Sequence, residues 1–246
     1  MNIALIGYGK MGKEIEKIAL QRGHTIVLKV DVDNANTYTI EDLKKAHVAI
    51  EFSTPETAIN NIFKCFDAGV PVVVGTTGWL NKLEEVKKKC LEKNQTLFYA
   101  SNYSIGVNLF FKLNEYLAKL MSTFPNYNVT MEEIHHVHKL DSPSGTAISL
   151  ANQVIEQMGR KKKWVNETTN NANELSIISK RIDEVPGTHT VTYSSDVDEI
   201  SITHTAHNRV GFAVGAVIAA EWLGKNSIFG IKKRGVFGMN DLMSDE

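Results

Sequence analysis

The sequence is poor in cysteine. Its 246 residues include two, Cys65 and Cys90. They stand far apart in helix-like segments, which argues against a disulfide framework and for free thiols in a reducing compartment. An excess of either charge is also lacking: 27 Lys and Arg face 28 Asp and Glu, for a formal net charge of −1. No general field draws the chain to nucleic acid or to acidic membranes. An enzyme with this balance that acts on a small anion must concentrate positive charge locally. Long hydrophobic runs are missing too. The longest lies within RVGFAVGAVIAAEWLG, short of the roughly 20 residues a membrane span needs. The opening MNIALIGYG has no basic n-region, and its apolar run is too short for a signal peptide. No internal repeat is visible. The expectation is a soluble, cytoplasmic protein without nucleic-acid or membrane partners.

What is present is a core-forming composition, 43% hydrophobic and 22% charged, with a clear rhythm. Apolar or β-branched runs at 3–6, 25–30, 48–53, 71–75 and 96–100 read as strands. Amphipathic stretches at 10–22, 40–46, 55–68 and 80–94 read as helices between them. Alternation of this kind predicts a parallel sheet with helices on both faces. The rhythm then changes. Helices are expected over 106–121 and 144–159, a strand over 128–135, and period-2 runs over 175–182, 189–195 and 199–206. Strands without intervening helices predict a separate open sheet. An apolar helix over 210–223 and a short basic tail follow, and the polar run NETTNNAN (166–173) reads as a mobile loop. The fold class is therefore α/β: a Rossmann-type parallel-sheet nucleotide domain plus a smaller α+β domain with an open mixed sheet.

Strand one runs directly into Gly7-Tyr8-Gly9-Lys10-Met11-Gly12 and a helix. Gly7 permits the tight turn, Gly9 lets a pyrophosphate approach the backbone, and Gly12 lets helix and strand pack; the helix N-terminus then faces the phosphates. Asp31 lies 19 positions beyond Gly12, where a carboxylate holds a ribose 2′-hydroxyl. Asp31 argues for NAD over NADP, while Lys10 and Lys13 at the helix start offset it, so the cofactor choice stays open. The turn Gly75-Thr76-Thr77-Gly78-Trp79 follows strand four, and Ala100-Ser101-Asn102-Tyr103 follows strand five. Both fall at the carboxyl edge where such sheets bind ligands, although a plain turn explains the first equally well.

Three of the eight histidines fall in HHVHKLDSPSGT. Zinc is disfavoured: His135, His136 and His138 lack the His-Glu-x-x-His spacing, neither cysteine is near, and adjacent residues of an extended segment face opposite ways. No metal is expected. Anion binding with proton transfer fits better. The histidines and Lys139 concentrate positive potential, and Ser144-Gly145-Thr146 opens a helix whose amides and dipole suit a carboxylate. Ser142 and Ser144 are both possible N-caps, so part of the string has a purely structural reading. A histidine can donate a proton near neutral pH. Hydride addition to a C=N or C=C bond needs such a donor.

At this point the chain resembles the dihydrodipicolinate reductase family of the diaminopimelate and lysine pathway. The resemblance rests on GYGKMG, GTTGW, SNYSIGVNLF, EEIHHVHKLDSPSGTA, HNRVGFAVGA and GVFGMNDL, in the family's order over nearly the whole chain. It implies NADH- or NADPH-dependent reduction of a small cyclic dicarboxylate, 4-hydroxy-tetrahydrodipicolinate, by a homotetramer built through the second sheet. It implies a nucleotide domain of residues 1–105 and 208–246, and a substrate-binding and oligomerisation domain of residues 106–207. His135 becomes the proton donor and Lys139 the second catalytic residue. His136, Ser144, Gly145 and Thr146 hold substrate carboxylates. Gly7, Tyr8, Gly9, Lys10, Met11, Gly12, Asp31, Gly75, Thr76, Thr77, Ala100, Ser101, Asn102 and Tyr103 line the cofactor. Hydride transfer requires the two sites to meet, so closure is expected about hinges near 104–106 and 208–211. Two competing readings are a catalytically silent nucleotide sensor and another two-domain dehydrogenase. The sensor predicts loss of the His135/Lys139 pair. An aspartate-semialdehyde type needs a catalytic cysteine after a strand, whereas both cysteines sit mid-helix.

Overall fold

The computed structural model describes residues 1–208, 210–228 and 233–244. Arg209, in the second expected hinge, and residues 229–232 of the expected basic tail lie outside them. The chain divides into two compact units, Met1–Ile105 with Val210–Glu246, and Gly106–Arg209.

The first unit is a six-stranded, all-parallel sheet. Its strands are β1 (Asn2–Ile6), β2 (Thr25–Val30), β3 (Val48–Glu51), β4 (Val72–Val74), β5 (Thr96–Tyr99) and β11 (Gly235–Phe237), in the order β11-β5-β4-β3-β1-β2. Around it lie α1 (Lys10–Gln21), α2 (Ile40–Leu43), α3 (Pro55–Ala68), α4 (Leu83–Glu92), α7 (Val210–Ile228) and α8 (Met239–Ser244). The period of 2 sends alternate residues of β1 to opposite faces. Ile3 and Leu5 pack with Ile15 and Ile18 of α1 and Ala216 and Val217 of α7. Ala4 and Ile6 pack with Ile62 and Phe66 of α3 and Val86 of α4. With both faces covered, β3 and β4 are buried at every position. Hence, apart from Glu51 at the end of β3, they read in sequence as apolar runs. Pro55 opens α3, and Gly69, at φ 70°, closes it. Cys65 and Cys90 are free and buried, and burial pushes both thiols up. Among the described residues no helix is long and apolar enough to cross a membrane.

The second unit packs α5 (Ile105–Met121) and α6 (Gly145–Met158) on one face of a five-stranded sheet. Its strands are β6 (Asn128–His135), β7 (Lys163–Val165), β8 (Glu174–Arg181), β9 (Gly187–Ser194) and β10 (Glu199–Ala206), ordered β10-β9-β6-β8-β7. The sheet is mixed, β6 being antiparallel to β9 and parallel to β8. On β6 the buried positions are Val129, Met131, Glu133 and His135; on β9 they are Gly187, His189, Val191 and Tyr193. The alternation is strict, but at one end of the sheet the core-facing positions turn from apolar to ionisable. β7 is not among the expected strands, whereas 166–173 is a loop as expected. Ser179 donates to Asn166 (2.9 Å), Asn166 to the Ser142 hydroxyl (3.0 Å), Ser176 to the Glu167 carbonyl (2.7 Å) and Thr169 to Glu174 (2.7 Å). Asn166 and Thr169 thus bond to β8 through their side chains, and Glu167 through its carbonyl.

Candidate active site

The parallel register of the first unit brings the ends of β1, β3, β4 and β5 to one edge. Gly7 has φ +92°, and a Cβ there would lie 2.1 Å from the Phe52 carbonyl oxygen. A Cβ on Gly12 would lie 2.3 Å from the Gly7 carbonyl oxygen. A Cβ on Gly9 would meet nothing within 4 Å. Gly7 and Gly12 are therefore required by packing, and Gly9 leaves the backbone open to a ligand. Gly9 is the N-cap of α1. No side chain caps it, and no acidic residue stands in the first turn. The helix dipole and the first-turn backbone thus suit a pyrophosphate. Lys10 is exposed beside them, and Met11 packs against the core. Tyr8 donates to Glu16, which also pairs with Lys29 at 2.6 Å. Asp31 is exposed after β2, its Oδ1 accepting from the Val32 N–H at 2.8 Å.

Farther along this edge, a Cβ on Gly75 would fall 2.0 Å from the Phe52 ring. Thr76 is buried, and its carbonyl accepts from the Trp79 indole (2.7 Å), which fixes the turn; Thr77 is exposed. Ala100 is buried and Ser101 exposed. Asn102 accepts from the Ser104 N–H (2.9 Å), and the buried Tyr103 donates to the Val74 carbonyl (2.7 Å). Tyr103 thus braces the edge from within. The edge as a whole fits a dinucleotide, with the glycine backbone bare and the surrounding turns pinned.

The histidine string leaves β6 at its carboxyl end. Register then builds a cluster that string spacing does not reveal. Glu133 stands directly across from His189 on β9 and beside Ser179 on β8, and His135 stands beside Arg181. Glu133 is 0% exposed, His135 7% and His189 5%. The Ser144 backbone N–H reaches both Glu133 oxygens, at 3.0 and 3.1 Å. Arg181 Nη2 lies 3.4 Å from the same carboxylate. His135 Nδ1 lies 3.3 Å from Glu133 Oε2, an ion-pair distance without hydrogen-bond alignment. Burial alone would push the Glu133 carboxyl up. Contacts from His135, Ser144 and Ser179 outweigh it and hold the group well below the usual carboxylate range. His189 is lowered as well, which for an imidazole favours the neutral form: burial first, then the neighbouring His135, bring it to about 4. The two imidazoles meet edge to face, with centroids 5.0 Å apart.

The remaining string residues separate by role. Ser144, not Ser142, is the N-cap of α6, and its hydroxyl accepts from the Ala147 N–H at 3.2 Å and lies 3.1 Å from His189 Nε2. Both its amide and its hydroxyl are engaged inside the protein. Gly145 is exposed and Thr146 half-buried at the helix start. Lys139 Nζ pairs with Asp141 at 2.7 Å. Lys139 first, and the Gly145 N–H as well, draw the Asp141 carboxyl below its ordinary value. His136 has a buried Nδ1 without a partner. His138 is exposed, 3.5 Å from Glu184. Among the described residues, Glu133, His135 and His189 form the one group whose donor atoms lie close enough for a metal. Its carboxylate already faces a guanidinium and a backbone N–H, which suits proton chemistry better than a cation. A concavity of about 360 Å³ in this unit, lined by residues such as Tyr127, Arg160, Lys161 and Glu174, contains none of these groups.

Family comparison decides the context of this geometry. The models "Dihydrodipicolinate reductase, N-terminus" and "Dihydrodipicolinate reductase, C-terminus" match residues 1–103 and 106–243. The chain belongs to the dihydrodipicolinate reductase family. A 4-hydroxy-tetrahydrodipicolinate reductase of Christiangramia forsetii is 49% identical, over 100% of this chain and 98% of its own length. One of Archaeoglobus fulgidus is 32% identical over 99% and 100%. In fold, the chain is similar to a dipicolinate-bound dihydrodipicolinate reductase from Paenisporosarcina sp. TG-14, with TM-score 0.75, 21% identity and 97% of each chain covered. Sequence reasoning missed Glu133, Arg181 and His189 as members of the cluster. The available signal was the alternation of EEIHH and GTHTVTY, which puts Glu133 with His135, and Gly187 with His189, on single faces.

Proposed function

We infer that the chain reduces 4-hydroxy-tetrahydrodipicolinate to tetrahydrodipicolinate with a nicotinamide cofactor, in diaminopimelate and lysine biosynthesis. One observation supports the placement of the substrate. The Asp141 carboxylate already rests on Lys139 at 2.7 Å and against the Gly145 N–H, so this corner accepts the group the substrate carries. Lys139, Gly145, Thr146 and His136 hold substrate carboxylates, and Ser144 acts through the helix start it caps. A dihydronicotinamide, bound along Gly7 to Gly12 and the turns at Gly75 to Thr77 and Ala100 to Tyr103, supplies the hydride. His135 completes the addition by giving its ring proton to the site that becomes electron-rich, and regains one from water. Before reduction, the hydroxyl of the hydrated substrate leaves as water together with a proton from the adjacent ring carbon, which creates the double bond that is reduced. NADH is the preferred cofactor, since the Asp31 carboxylate repels a 2′-phosphate, and Lys10 allows NADPH to serve as well. The working form is a cytoplasmic homotetramer joined through the open face of the second sheet. There Thr190 and Thr203 (3.1 Å) and Thr192 and Ser201 (2.8 Å) pair at the surface. Light scattering that finds only monomers overturns that assembly.

The deciding assay couples freshly made substrate to NADH and NADPH side by side, on wild type and His135→Gln. The variant should lose about 10²- to 10⁴-fold in kcat, the range of one acid–base role, with NADH affinity near normal. An unchanged kcat sinks the assignment of His135.

A further inference from the structure

His135 is held in place from several sides. Three groups outside the string pack against its ring. Glu133 approaches Nδ1 at 3.3 Å from the same strand. His189 meets the ring edge to face from β9. Gly187, on the same strand, passes so close that a Cβ would lie 3.0 Å from Nε2. Glu133 is itself over-determined, by the Ser144 N–H and by Arg181, and its carboxylate also lies 3.7 Å from His189 Nε2. Arg181 is fixed in turn, donating to the Asp141 carbonyl at 2.6 Å. A carboxylate fixed this firmly cannot follow the imidazole; the imidazole must orient to it. Nδ1 then faces the negative charge, and Nε2 is the nitrogen left to deliver a proton. A neighbouring anion favours the charged form of a histidine, and a neighbouring cation opposes it. The groups around His135 are Glu133 on its own strand, Arg181 on β8, His189 on β9 with His204 behind it on β10, and Lys139 with Asp141 on the following turn.

We propose that Glu133 is a positioning residue for the reduction, orienting His135 through Nδ1 from a carboxylate that the Ser144 N–H and Arg181 hold in place. The proposal rests on His135 being the proton donor, so the test separates the two ideas. The Hε1 titration of His135 is followed by NMR in wild type, Glu133→Gln, Glu133→Asp and Arg181→Met, alongside the kcat–pH profile of each folded protein. Glu133→Gln should move the His135 midpoint down by about one pH unit, the size of one nearby charge. The basic limb of kcat should follow it, with KM for NADH held. Glu133→Asp should restore most of the wild-type midpoint. Arg181→Met should move both midpoint and limb upward, a sign no general loss of structure produces. If the midpoint stays put in Glu133→Gln and Arg181→Met alike, the proposal is wrong whatever His135 does. If the midpoint moves but the limb does not, His135 is not the donor, and the positioning role falls with it.

Discussion

Two glutamates, Glu51 at the end of β3 and Glu133 near the end of β6, are both 0% exposed, yet they live in opposite electrical surroundings. Among the described residues the donors to Glu51 are neutral: the Ser53 N–H at 3.2 Å, the Ser53 hydroxyl and the Asn61 amide at 3.3 Å, with Thr76 also acting on it. Burial therefore wins, and its carboxyl is pushed up. Glu133 meets the His135 imidazole, Ser144 and Ser179, which push its carboxyl down, with the Arg181 guanidinium 3.4 Å away. Two carboxylates without exposed surface thus end differently: Glu51, set deeper among protein atoms, resists ionisation, and Glu133 resists protonation. The difference fits the chemistry of each edge. Glu51 accepts the Gly75 N–H through its backbone carbonyl at 2.9 Å, on the edge assigned to an anionic cofactor, where another fixed negative charge would repel. Glu133 stands beside His135, the proton donor proposed above.

The largest expected effect comes from removing the charge that has partners. Glu133→Leu leaves Arg181, the Ser144 N–H and His135 without their counter-charge, and breaking such a buried pair costs about 3–5 kcal/mol. Arg181 keeps 21% of its side chain exposed and can turn to water, which favours the lower end. Glu51→Leu removes only neutral hydrogen bonds, worth about 1–3 kcal/mol when their donors are left unsatisfied. Urea unfolding at pH 7 measures both. Equal losses would break the contrast between the two sites.

The next effect concerns pH. His189 is depressed to about 4 in the folded chain, against about 6.5 when unfolded. Its neutral form is favoured by folding, so the stabilisation is full above pH 6.5 and is lost as pH falls toward 4, by up to about 1.4 kcal/mol per unit. His189→Gln should flatten that part of the stability curve. A variant curve parallel to wild type between those values would mean that His189 titrates freely.

How much of this was legible beforehand follows from the kind of interaction involved. The Gly7–Gly12 fingerprint and the alternation of strands and helices were readable because backbone geometry and period 2 or 3.6 are local. β11 was not. Its three residues have no pattern of their own and become a strand by pairing with β5, more than a hundred positions away. The string itself was visible, but not its anchor. Glu133 meets His189 through the antiparallel register of β6 and β9, and register is a long-range choice. Ser144 shows the converse. Its place in a motif marks it for the ligand, yet the structure spends its hydroxyl and amide on the helix cap, His189 and Glu133.

The smallest effect is the most direct check on Glu51. Its carboxyl is raised above the ordinary 4.5, so folded and unfolded chains are both protonated well below that value and no penalty exists there. As pH rises past 4.5 the unfolded chain gains from ionising while the folded one resists, and stability falls until the folded-state value is passed. Glu51→Gln removes this proton linkage while keeping the size of the side chain. It should raise the melting temperature by a few degrees at pH 8, where roughly 1 kcal/mol corresponds to about 2–4 °C for a chain of this length, and leave it unchanged at pH 4. The same substitution at Glu133 should do the reverse, lowering the melting temperature at pH 8 and mattering least in acid. Both variants shifting in the same direction at pH 8 would show that burial alone, and not the company each carboxylate keeps, sets its charge.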